Sequence, residues 1–140
     1  MQRPIEGPLL LLCLDLEAGS TALARHAWEH SRRCNQSVIV LHVLAPGPGA
    51  AAAQDRRERL RALLAAVDAE AARLPVEILS GIPDQVIPAH ARDAGVGTIV
   101  LGRRHRPPVE RLYVGSTTSA VICQAPCPVL MVPLSPRSSS

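Results

Sequence analysis

A chain of 140 residues, 47% hydrophobic and 19% charged, is one domain's worth and long enough to bury roughly two-thirds of its unfolded surface in one core. That apolar fraction and a net charge of only +3 exclude an intrinsically disordered chain, and the composition excludes collagen and coiled coil. All 15 basic residues are Arg, which rules out a side-chain Schiff base and a phosphate loop ending in Lys-Ser/Thr. A pI near 9.0 invites a nucleic-acid reading. Three excess charges and two aromatic side chains, Trp28 and Tyr113, are too few for that role, so no nucleic-acid partner is expected. With so few aromatics the core must rest on Leu, Val, Ile and Ala, which suits helices laid on a parallel sheet. Cys13, Cys34, Cys123 and Cys127 form no CxxC pair and no disulfide framework. Free thiols in a reducing cytoplasm are the expectation. No stretch approaches the ~20 apolar residues of a membrane span. The run Leu9 to Cys13 is too short for a signal sequence and lies between Glu6 and Asp15.

Along the chain, strands and helices alternate. Residues 1–7 read as an extension, 8–134 as the domain, and 135–140 as a disordered tail. Pro8 to Leu14 is continuously apolar, a strand buried on both faces. Gly19-Ser20-Thr21 supplies a turn and a helix cap. The helix runs to about Cys34, with Leu23, Ala27, Trp28 and Cys34 on its apolar side. Ser37 to Val43 is β-branched and apolar, a second buried strand, and Ala45 to Ala50 is a loop by its Pro and Gly content. Gln54 to Leu74 has helical periodicity, with Leu60, Leu63, Leu64, Val67, Ala71 and Leu74 on one face. Arg56, Arg57, Glu58 and Arg61 mark the polar face. Val76 to Leu79 is a short edge strand. Pro83 opens a helix to about Ala94, within which Pro88 predicts a kink or a short first turn. Val96 to Leu101 is a fourth strand, Gly102 to Val114 a basic loop, Gly115 to Gln124 a helix and Pro128 to Val132 a fifth strand.

This alternation predicts an α/β fold: one doubly wound, five-stranded parallel sheet in the order 3-2-1-4-5, with helices on both faces. Ligands of such sheets bind beyond the carboxyl ends of the strands where the winding reverses. Here that is the crevice between Leu14-Asp15 and Leu101-Gly102. Gly102 follows a strand, and Gly115-Ser116 opens a helix. Glycines there admit close backbone approach to a phosphate, and a helix N-terminus adds positive potential. Ser116 and Thr117 hydroxyls can donate to phosphate oxygens, and arginines such as Arg103 can neutralise charge. The competing explanation is a strand-exit glycine followed by a capped helix. Asp15 likewise reads, on its own, as a turn-capping carboxylate.

Gly102-Arg103-Arg104-His105, nine further residues and then Gly115-Ser116 resembles the G-x-x-G-x9-G-[ST] motif of the universal stress protein family. Asp15, Leu41-His42-Val43, Gly81 and Ala125 to Leu130 match further positions, so the resemblance spans about Pro8 to Leu134. It implies an adenine-nucleotide-binding α/β module that dimerises through its C-terminal strand. It assigns Asp15 to the nucleoside, Val43 to adenine, and Gly102, Gly115 and Ser116 to phosphates of ATP or a related nucleotide. Asp15 is the sole carboxylate in reach of an accompanying Mg²⁺. One position departs: the motif's second glycine is His105, whose ring either blocks the phosphate approach or donates to it. The expected role is a stress-response sensor or interaction module rather than an enzyme. The alternatives are a dimeric interaction protein that takes no nucleotide and a small ATP hydrolase.

Other patterns carry less. His26-Ala27-Trp28-Glu29-His30 fits a short zinc-protease pattern, but its polar face shares Arg33 and should be solvated. Cys123 and Cys127 fit no metal spacing and are expected as buried thiols. Ser116 has no G-x-S-x-G elbow, so no catalytic residue is assigned.

Overall fold

The computed structural model describes residues 8–47, 49–104 and 116–134. Five strands, β1 (Leu9–Cys13), β2 (Ser37–Leu44), β3 (Val76–Ser80), β4 (Val96–Arg104) and β5 (Val129–Leu134), form one sheet in the order β3-β2-β1-β4-β5. All four pairings are parallel. The helices are α1 (Ser20–Arg33), α2 (Ala50–Val67), α3 (Pro83–Ala94) and α4 (Ser116–Gln124).

Side chains alternate across each strand, and the central strands bury both sets. Leu10, Leu12, Val38, Val40 and Val100 join Leu23, Ala27, Leu60 and Leu64 in a core under α1 and α2. Leu11, Leu41, Ile99 and Leu101 join Ile87, Ala91 and Val121 in a second core under α3 and α4. Two-sided burial is why β1 and β2 read as unbroken apolar runs.

Several expected boundaries move. The helix predicted over Gln54 to Leu74 is α2 followed by a separate 3-10 turn, Ala71–Arg73. It starts earlier because Ala50 to Ala53 are the strongest helix formers. It stops at Asp68, which is extended (φ −169°, ψ 145°) and whose Oδ1 accepts the Glu70 N–H at 2.8 Å. A side chain that bonds nearby backbone competes with the helical ladder. The supposed polar face of α2 is not all solvated either. Arg61 Nη1 donates to the Ala72 and Leu74 carbonyls at 3.1 and 2.6 Å, and Arg57 Nη1 to the Val76 carbonyl at 2.9 Å. These arginines satisfy backbone acceptors in the irregular link to β3.

Helix α3 runs unbroken through Pro88, which is buried beside Ile87 and Ala91. The missing proline N–H costs one rung of the ladder, and burial of the ring offsets it. Gly19, left-handed at φ 92°, occupies the α1 cap without a side-chain bond, within the Gly19-Ser20-Thr21 turn expected to supply it. Cys34 and Cys123, expected among apolar neighbours, are exposed. Both sit at the ends of helices, where the faces turn away from the sheet. Strand β5 extends through Pro133 to Leu134, because a proline without N–H is tolerated on an edge strand.

Candidate functional site

The crevice where the winding reverses lies between the carboxyl ends of β1 and β4. On the β1 side, Asp15 is exposed and its Oδ1 accepts the Glu17 N–H at 2.9 Å and the Ser20 hydroxyl at 3.2 Å. The carboxylate therefore organises the turn from β1 into α1, as its residue type alone suggested. Leu16 between these partners is left-handed, φ 63°, which is uncommon for a branched apolar residue. Beside this turn a pocket of about 350 Å³ opens between Leu16, Ser20 and Thr21 and the α2 residues Arg59 and Leu63.

On the β4 side the strand does not end at Leu101. It continues to Arg104, with Gly102 opposite Val132, Arg103 opposite Pro133 and Arg104 opposite Leu134. Gly102 and Arg103 thus belong to a strand, not to a loop. A Cβ on Gly102 would stand 2.7 Å from Leu134 Cδ1 and 3.1 Å from Leu23 Cδ2. The packing of α1 and β5 over this position is reason enough for glycine. Arg103 is exposed and, one residue on, projects to the α3/α4 side of the sheet. Val43 in β2 packs against the core on that same side. Ser116 and Thr117 form the first residues of α4. Gly115 and His105 lie outside the described residues, with the rest of the segment between β4 and α4.

Within the described residues, then, Asp15, Val43 and Arg103 come to the carboxyl-end side of the sheet. No group of three side chains there or elsewhere among the described residues could hold a metal ion. His26 and Glu29 are exposed on α1, and His30 Nε2 meets the Cys34 thiol at 3.7 Å. No described helix is long and apolar enough to cross a membrane.

The model of the universal stress protein family matches residues 10–133. The chain belongs to that family. Among solved structures, universal stress protein UspA from Lactobacillus plantarum is similar, at 26% identity and a TM-score of 0.69 over 89% of this chain and 97% of that one. A universal stress protein from Archaeoglobus fulgidus, in complex with dAMP, is 21% identical with a TM-score of 0.66, over 92% of this chain and 99% of its own. A universal stress protein in complex with cAMP is 17% identical with a TM-score of 0.66, over 91% and 97%. These last two share the fold. No curated protein matches the chain.

His42, matched above only as part of Leu41-His42-Val43 and given no role there, is a further functional candidate in this universal stress fold. His42 is buried in β2, and its Nδ1 lies 2.8 Å from the Leu14 carbonyl, one residue before Asp15. The signal available was a histidine inside a β-branched apolar strand, where a polar ring costs free energy unless it has a partner.

Proposed function

We infer that this universal stress protein is a nucleotide-binding module that takes ATP or a related adenine nucleotide at the β1/β4 crevice and acts as a stress-response sensor rather than as a turnover enzyme. The observation that carries the reading is the exposed Asp15 at the exit of β1, fixed by its own turn on the crevice rim. A carboxylate held there suits a ribose hydroxyl, which donates to it. Val43 would line the adenine, and Arg103 with Gly102, Gly115, Ser116 and Thr117 would receive phosphates. The α4 N-terminus adds favourable potential for an anion. Relatives of the same fold hold dAMP and cAMP, ligands of this chemical class. No general base is assigned, and no residue set for Mg²⁺.

A second reading keeps the fold and drops the nucleotide, leaving a dimeric interaction protein of the cytoplasm. His105 in place of the motif glycine favours it. Both readings have the chain pair with a second copy through β5. Calorimetric titration of ATP into the wild-type protein and a folded Gly115→Val variant separates them. Nucleotide binding predicts measurable wild-type affinity and a loss of at least ~2–3 kcal/mol in the variant, the scale of several unmade charge-assisted hydrogen bonds. Equal affinities would remove Gly115 from the phosphate site. No heat from the wild type would leave the second reading.

A further inference from the structure

Leu14 is the first residue past β1, and β2 holds both of its backbone groups. Its N–H donates to the Leu41 carbonyl at 3.0 Å. Its carbonyl accepts from the ring of His42 at 2.8 Å. A carbonyl can only accept, so Nδ1 of His42 carries the proton. Among the described residues, His42 is the sole histidine, arginine or carboxylate in the buried interior, at 5% exposure. Its strand places it with Val38, Val40 and Leu44 on the α1/α2 side, opposite Val43. It is therefore turned away from the adenine position.

The peptide that His42 fixes is the one joining Leu14 to Asp15. Downstream, Asp15 is fixed again by the Glu17 N–H and the Ser20 hydroxyl. The direction in which the carboxylate leaves the chain is set between these two clamps. We propose that His42 is a positioning residue of the nucleotide site: it touches no ligand and acts through the Leu14 carbonyl on the place of the Asp15 carboxylate. The effect on affinity rests on the nucleotide reading above; the effect on the Asp15 turn does not.

The test uses His42→Leu, which removes the donor, and His42→Asn, whose amide nitrogen reaches nearly the place of Nδ1. Both are also made with Asp15→Ala. Hydrogen exchange of the Glu17 amide reports the Asp15 turn without nucleotide, and calorimetry reports ATP affinity. His42→Leu should speed Glu17 exchange and weaken ATP by about tenfold each, the effect of one lost hydrogen bond. His42→Asn should restore both to within about threefold, which a donor in place explains and mere packing does not. With Asp15→Ala in the background, His42→Leu should change ATP affinity no further.

Unchanged Glu17 exchange in His42→Leu overturns the proposal. So does faster exchange at constant ATP affinity, failure of His42→Asn to restore, or additive losses in the double variant. Should His42→Leu not fold, His42→Gln takes its place, because its amide lies one bond too far out to serve Leu14. A wild-type protein that takes no ATP refutes the nucleotide reading, while the Glu17 amide still decides whether His42 sets the turn.

Discussion

Cys13 shows how position within the fold, rather than residue type, sets chemistry. Its thiol packs against the core under α3 and α4, and burial pushes its pKa far above the ordinary 9.0. The neutral thiol is favoured in the folded chain, so the linked stability is present below pH 9 and is lost as pH rises above it. Above that point the unfolded chain has released a proton that the folded chain keeps. The unfolding free energy from urea titration should therefore fall with pH between about 9 and 11, with a slope of up to ~1.4 kcal/mol per pH unit for this group. Cys13→Val should flatten that slope whatever it does to stability at pH 7. An equally steep fall in the variant would place the lost protons elsewhere.

Strand β4 illustrates how an element can outrun its sequence signal. Gly102 reads locally as a strand-exit glycine, yet β5 continues the pairing to Leu134. The absent side chain makes room for Leu134 and Leu23. Gly102→Val should overpack this junction and cost about 1–3 kcal/mol. Leu134→Ala in the same chain should then destabilise less than it does alone, because the new side chain fills the vacated space. Additive losses in chemical denaturation would show that the glycine is not there for packing. The α2 region teaches a related point. Its apolar stripe was legible from Leu60 to Leu74, but the break at Asp68 and the seating of Arg57 and Arg61 on backbone carbonyls depend on where the β3 link passes. Periodicity carries no information about a carbonyl that comes near only after folding.

At the scale of the whole molecule, β5 is an edge. It pairs with β4 on one side, and among the described residues no strand lies on the other. Val129, Leu130 and Met131 are half-buried and uncharged there. Such an edge invites pairing, and a symmetric contact between two copies would satisfy its open backbone groups. Pro133 has no N–H to offer, which confines the available ladder to Val129 to Val132. Sedimentation of the proposed assembly should give a dimer, and Met131→Pro should give monomer or aggregate. A stable wild-type monomer at high micromolar concentration would contradict the pairing.

The five strands, their parallel order and the crevice between β1 and β4 are all legible in the sequence. Runs such as Leu9 to Cys13 and Ser37 to Leu44 must be buried on both faces, and right-handed crossovers leave few ways to arrange them. The sequence also determined that Asp15 stands at a turn, because that carboxylate bonds backbone and hydroxyl only two and five residues away. Tertiary structure alone decided that His42 reaches Leu14, 28 residues distant in the chain, and that Leu134 and Leu23 close over Gly102. Local pattern records which face a residue takes and which neighbours it can reach along the chain. It does not record which atoms from distant segments converge on that face once the sheet is assembled.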